Sequence, residues 1–173
     1  MVETALRFER LGEQHRGLRR NFDCGQAELN QYLAERARKE ANQGLTAVHV
    51  LYDPARNQIA GYYTLSSFSV RLTDLPDELT KRLPRYPDLP AVLIGRLAAD
   101  SRYQGQGLGK MLMMAALAKA QEQSTVVGTF LVVVDAKNDK ITEFYAKFGF
   151  RPFAAHQQRL FLPTSAIPSL IPS

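Results

Sequence analysis

The residues best suited to chemistry are Gln104, Gly105, Gln106, Gly107, Leu108, Gly109 and Lys110, a Gln/Gly-rich turn between an apolar run and an amphipathic pattern. Gly105, Gly107 and Gly109 lack the β-carbons that would keep an anion away from the backbone. The helix that follows offers free N–H groups and the positive end of its dipole. This combination predicts a pyrophosphate cradle, with a plain tight loop and helix cap as the structural alternative. Spacing removes two nucleotide motifs. A Walker loop needs a longer interval between its first Gly and a Gly-Lys-Ser/Thr than separates Gly105 from Gly109, and Met111 follows Lys110. A dinucleotide fingerprint starting at Gly105 would require Gly where Lys110 stands.

Other reactive side chains suggest less. Cys24 is the single cysteine, so no internal disulfide is expected. No His or acid follows it at a spacing that would make it a nucleophile, and its Phe22-Asp23-Cys24-Gly25 setting reads as a helix cap. His15, His49 and His156 are scattered without metal-ligand spacing, so no metal is expected. Cations cluster at Arg16, Arg19 and Arg20, at Arg36, Arg38 and Lys39, and at Lys81, Arg82 and Arg85. Each cluster suits either a polyanion or an ordinary solvated face.

These groups need elements to hold them. Asp23, with Gln26 three residues on, reads as the N-cap of a helix that runs to about Asn42 and stops at Gly44. Leu29, Leu33, Ala37 and Ala41 make its buried stripe, and a 3.6-residue wheel puts Arg36 at the stripe's edge. There it either lines a site or snorkels over the core rim. A short strand near residues 5–10 precedes this helix. Residues 47–52 and 59–67 read as a hairpin around Asp53-Pro54 and Asn57, and residues 71–91 as a long loop with a short helix at 77–82. A strand at 92–99 enters the Gly turn. A helix at 108–123 leaves it, with Leu108, Met111, Leu112 and Ala115 inward. Residues 130–134 are a continuous apolar, mostly β-branched strand of the kind buried on both faces. A helix over 138–148 follows, with Ile141, Phe144, Tyr145 and Phe148 on one side and Gly149 as its left-handed cap. A last strand falls at 159–162.

The chain has 173 residues and 45% hydrophobic content, enough for one well-filled core, so residues 1–173 are expected to form a single domain. No apolar run approaches the roughly 20 residues that span a bilayer. The charged first 20 residues do not resemble a signal peptide, so a soluble cytoplasmic protein without membrane contact is expected.

The turn from Gln104 to Gly109 resembles the Q/R-x-x-G-x-G/A acyl-CoA loop of the GNAT acetyltransferase superfamily. Asn138 with Phe144-Tyr145-Ala146-Lys147-Phe148-Gly149-Phe150 is similar to that family's second signature. The resemblance implies an α/β (α+β) GNAT fold, in which a central mixed twisted sheet of about six or seven strands is flanked by helices and splayed parallel strands hold acyl-CoA. It narrows to one branch. Phe22-Asp23-Cys24-Gly25 with Leu29 and Leu33, Gly61-Tyr62-Tyr63-Thr64-Leu65-Ser66, Gly95-Arg96-Leu97-Ala98 with Asp100, and Phe161-Leu162-Pro163-Thr164 look like the tRNA-acetylating toxins of type II toxin-antitoxin pairs.

That resemblance implies an enzyme moving an acetyl group from acetyl-CoA to the α-amine of an aminoacyl-tRNA, which blocks translation. A ribbon-helix-helix antitoxin and a homodimer are the implied protein partners. The backbone of Leu97, Ala98 and Ala99 would pair with the pantetheine arm. The turn from Gln104 through Lys110, with Asn138, would complete the donor site, and Tyr145 would protonate the departing thiolate. Arg36, Arg38, Lys39, Arg82, Arg85 and Arg96 are the tRNA-contact candidates. No general base stands out, which suits an α-amine titrating near about 8 better than a lysine near about 10.4. Glu143 and Asp135 are the nearest candidates for a base, and a salt bridge is the plainer role for each. Two other readings stay open: acetylation of a small amine or protein N-terminus, and a non-catalytic module that binds CoA or nucleic acid.

Overall fold

The computed structural model describes residues 5–171. Its strands are β1 (Arg7–Arg10), β2 (Ala47–Asp53), β3 (Gln58–Arg71), β4 (Asp88–Ala99), β5 (Leu131–Asp135), β6 (Arg151–Pro152) and β7 (Arg159–Pro163). The helices are α1 (Ala27–Gln31), α2 (Ala37–Asn42), α3 (Asp77–Thr80), α4 (Leu108–Ser124) and α5 (Asp139–Ala146). The strands form one seven-stranded mixed sheet in the order β1-β2-β3-β4-β5-β7-β6. β4 and β5 run parallel from Ala91↔Leu131 to Ile94↔Val134, and β4 then continues to Ala99.

The chain divides into two compact units, one comprising the residues up to Ser66 with Gly95–Ala116, the other Ser67–Ile94 with the residues from Leu117 on. In the first, β1, β2 and β3 form an antiparallel meander. Its core gathers Leu11, Phe22, Tyr32, Leu33, Val50 and Tyr62. Asn57 adopts φ 51° in the β2–β3 turn, a left-handed conformation that asparagine tolerates better than most residues. Gly61 in β3 has no room for a side chain, because a Cβ there would lie 2.9 Å from Leu112 Cδ1 and 3.0 Å from the Ala98 carbonyl oxygen.

In the second unit, β5 is buried along Leu131–Val134, with each side chain at 0% exposure. This is what a continuous apolar strand inside a sheet should show. β7 pairs antiparallel with it, and the two-residue β6 closes the edge. That edge strand was not expected from the sequence: Arg151-Pro152 is too short for an alternating pattern, and proline is tolerated at an edge.

Four expectations need correcting. Asp23 is not the helix N-cap, since Gln26 precedes the first helical residue. Gly25, at φ +84°, turns the chain first, and the Asp23 carboxylate accepts from Gly25 N at 2.9 Å and Asn30 Nδ2 at 2.8 Å. The helix after it is also irregular, with a π turn at Tyr32–Arg36 between α1 and α2. On α4, Met111 is 41% exposed and Ala115 only half-buried, while Leu112, Met113, Ala116, Leu117 and Ala120 form the buried stripe. Finally, the 71–91 segment is less loop than expected. β3 runs on to Arg71 and β4 begins at Asp88, while the base between them is tied by Leu72 N–H to the Pro87 carbonyl at 3.0 Å. Pro90 lies near the start of β4, and its carbonyl accepts from Phe130 N at 2.8 Å.

Candidate active site

The Gly turn lies wholly in the first unit. Gly105 and Gly107 adopt φ +81° and +72°, and a Cβ at either would meet nothing within 4 Å. Conformation rather than crowding therefore demands glycine here, and the backbone stays open to a ligand. Within the turn, Gln104 N–H bonds the Ser101 carbonyl at 3.2 Å and Gln106 N–H the Tyr103 carbonyl at 3.3 Å. Those two amides shape the loop. The amides of Leu108, Gly109 and Lys110 stand at the start of α4, where a helix leaves its N–H groups without intrahelical acceptors. Gln104, Gln106 and Lys110 have exposed side chains, while Leu108 is buried as the anchor of the helix. Leu97, Ala98 and Ala99 lie on β4 beyond its last residue paired to β5.

On the same unit, Arg96 places its guanidinium 3.5 Å from the centroid of the Tyr32 ring, a cation–π contact. The Tyr32 hydroxyl donates to Glu40 at 2.7 Å. Burial first, then this bond to a carboxylate, pushes the Tyr32 phenol up to about 12. Arg36 makes an i,i+4 ion pair with Glu40 at 2.8 Å and is 62% exposed, with its guanidinium 5.7 Å from the centroid of the Tyr32 ring, so it lies at the rim of the core with its charge in water.

Two cation clusters that are separate in the sequence meet in space. Arg19, Arg20, Arg38 and Lys39, with Ala34 and Glu35, line an open groove of about 610 Å³. Arg19 donates to the Ala34 carbonyl at 3.3 Å. Burial, then Arg20 and Arg38, lower its pKa, which is the mark of crowded positive charge. Arg16 instead pairs with Glu13 on an exposed surface.

The second unit holds Tyr145 and Asn138. Asn138 is the N-cap of α5, its side-chain oxygen accepting from Ile141 N at 3.0 Å, so it orients the helix that carries Tyr145. Tyr145 is 7% exposed between Phe144 and Phe150, and burial, followed by the Asp135 charge, pushes its phenol up to about 12. Asp135 is paired with Arg159 at 2.8 Å, which fits the salt-bridge role over that of a base. Glu143 is exposed, as are Lys81, Arg82 and Arg85 beyond α3. In the first unit, Cys24 Sγ donates to the Gln26 carbonyl at 3.7 Å, and burial raises its pKa, the reverse of an activated thiolate.

Among the described residues, no group of three or more His, Cys, Asp or Glu side chains could hold a metal ion, and no helix is long and apolar enough to cross a membrane. Sequence reasoning missed the polar side chains at the root of the Gly turn, namely Asp53, Gln58, Arg102 and Tyr103. The bonds that join them link residues distant in sequence, and the motifs that held Asp53 and Asp100 gave no sign that the two carboxylates belong to one group.

The sequence matches the family described as Acetyltransferase (GNAT) family over residues 13–150. It is 32% identical over 130 residues to a tRNA-acetylating toxin of Mycobacterium tuberculosis, covering 75% of this chain and 76% of that protein. It is 26% identical over 157 residues to the probable toxin TacT of Sinorhizobium fredii, covering 87% of each. The fold superposes on AtaT complexed with acetyl-methionyl-tRNAfMet with a TM-score of 0.88 at 31% identity, over 96% of this chain and 99% of that one. A mutant AtaT toxin bound to the C-terminus of the antitoxin AtaR and acetyl-CoA gives 0.80 at 29% identity, over 95% and 97%. With a glycine turn between β4 and α4, a tyrosine on an Asn-capped helix and this likeness over most of its length, the chain belongs to the GNAT family of acetyltransferases.

Proposed function

We propose that this chain transfers the acetyl group of acetyl-CoA to the α-amine of an aminoacyl-tRNA, as the toxin of a toxin-antitoxin pair. The likeness across 96% of the chain to a structure holding an acetylated aminoacyl-tRNA carries this reading. The donor loop fits the donor: Gly105 and Gly107 leave the backbone bare, and the first turn of α4 presents amides to an anion. Acetyl-CoA supplies the activated acyl group. The backbone of Leu97, Ala98 and Ala99 binds the pantetheine arm as an added strand would, which the continuation of β4 past its ladder with β5 supports.

The neutral α-amine attacks the thioester carbon, the C–S bond breaks, and the thiolate takes a proton from the Tyr145 hydroxyl while the ammonium proton leaves to solvent, from which the Tyr145 phenolate regains its own. An ester-linked α-amine is already partly neutral near pH 8, so the chain needs no dedicated base. Tyr145 is protonated across that range, as any phenol is near pH 8, and burial raises its pKa further, to about 12. The groove formed by Arg19, Arg20, Arg38 and Lys39 meets RNA phosphates, and Arg96 stacked on Tyr32 supports the acceptor end. Arg36, Arg82 and Arg85 add outer contacts. A homodimer restrained by a ribbon-helix-helix antitoxin in the cytoplasm completes the reading, and the complex of the AtaT relative with the antitoxin AtaR supports its antitoxin part.

Labelled acetyl-CoA incubated with individually charged tRNAs should give an N-acetylated aminoacyl ester for at least one amino acid. Label appearing in no charged tRNA, but in a small amine or protein N-terminus, would replace this reading with the other enzymatic one.

A further inference from the structure

Beneath the donor loop lies a continuous polar chain. Asp53, at the end of β2, and Asp100, just past β4, are each 1% exposed. Buried carboxylates cost several kcal/mol unless they are paired and hydrogen-bonded, so their partners matter. Asp53 accepts from Ala55 N at 3.0 Å, Arg56 Nη1 at 3.0 Å and the Tyr103 hydroxyl. Asp100 accepts from Arg102 through Nε and Nη2, each at 2.8 Å, and from Asp23 N at 3.0 Å. Gln58 joins the two halves: its Nε2 donates to the Tyr103 hydroxyl at 2.8 Å and its Oε1 accepts from Arg102 Nη1.

Tyr103 is 3% exposed and is the residue immediately before Gln104. Its hydroxyl is held by Asp53 and Gln58, and its own carbonyl accepts the Gln106 amide. The loop beyond it contains two glycines at positive φ, which alone have many accessible conformations. A ligand meeting such a loop binds more weakly in proportion to the fraction of time the loop is in a competent shape.

We propose that Tyr103 is a positioning residue for the donor: clamped by Asp53 and Gln58, it fixes the root of the Gly turn so that the turn's amides are preset for the pyrophosphate of acetyl-CoA. The inference rests on the donor half of the function proposed above and is independent of the acceptor. The removed hydroxyl acts through the loop, so its effect should depend on whether the ligand carries a pyrophosphate.

Titration calorimetry on the full chain tests this with acetyl-CoA, and ligand-observed NMR with S-acetylpantetheine, which has no pyrophosphate. Failure of the unmodified chain to bind acetyl-CoA would defeat the donor reading itself. Given that binding, Tyr103→Phe should weaken acetyl-CoA by about threefold to tenfold, the scale of one buried hydrogen bond, and leave S-acetylpantetheine unchanged within about twofold. Gln58→Met, at a half-buried position, should likewise weaken acetyl-CoA and leave S-acetylpantetheine unchanged, and it carries the test if Tyr103→Phe does not fold. Tyr52→Phe, whose hydroxyl donates to Asn57 outside the chain of bonds, should change neither ligand. Unchanged acetyl-CoA affinity, or an equal loss for both ligands, would overturn the proposal.

Discussion

At the residue scale the proposed acid, the Tyr145 phenol, gives the sharpest test. A phenol raised to about 12 is a poor acid toward a thiolate whose conjugate acid lies near about 8.5, so it can give up its proton only as the C–S bond breaks and the sulfur charge is still unsolvated. Tyr145→Phe should lower kcat by about 10²-fold or more while acetyl-CoA affinity, measured calorimetrically, stays within about twofold. The same pKa sets the pH profile. The acid form is present below about 12, so kcat/KM should rise as the α-amine deprotonates near about 8 and then stay level to about pH 10. A descending limb in that range would assign the proton to a different group.

At the element scale, β3 and α4 are held together by an absence. Gly61→Ala would push against Leu112, itself fully buried, and against the Ala98 carbonyl on the segment assigned to pantetheine. It should cost roughly 1–3 kcal/mol by overpacking, read as a lower urea midpoint, and should weaken acetyl-CoA as well. The sequence disclosed most elements because their signals are local. Examples are the four-residue apolar core of β5, the Asn138 cap of α5, and Gly149 at φ +96° after it. It misled where geometry departs from an ideal period. The π turn interrupts the regular helix expected after Asp23, and Met113 rather than Met111 faces the core of α4 because the buried stripe is set by what the helix packs on. The glycine turn was legible because positive-φ glycines ahead of a helix start are written in consecutive residues. Its polar root was not, since Tyr103 and Asp53 are 50 positions apart.

For the whole molecule, charge and titration give two further expectations. Association with charged tRNA should weaken steeply with salt, and Arg38→Ala or Arg19→Ala should reduce the slope of log K against log salt by about 0.7–0.9 for each phosphate left without its cation. Filter binding over a salt series would check this, and a slope unchanged by both substitutions would remove the groove from the RNA interface. Stability should fall under alkaline conditions. Tyr32 and Tyr145 are raised to about 12, and Tyr62 is raised as well, all chiefly by burial. A raised folded-state pKa gives stability that is complete below the unfolded value near about 10 and is lost as pH climbs through about 12. Urea midpoints should therefore drop across that window, with tyrosinate absorbance appearing together with unfolding.

The π turn at Tyr32–Arg36 has a consequence for how this protein can change. Leu33 and Ala37 must face the core, and Arg38 and Lys39 must face the groove. The wide turn takes up one extra residue between Leu33 and Ala37. Deleting a residue such as Ala34 would remove the one the wide turn accommodates and return the turn to ordinary α geometry, while Ala37, Arg38 and Lys39, on one segment after it, would keep their places relative to one another. At this turn the helix can therefore change length by one residue while its core and groove sides stay in phase.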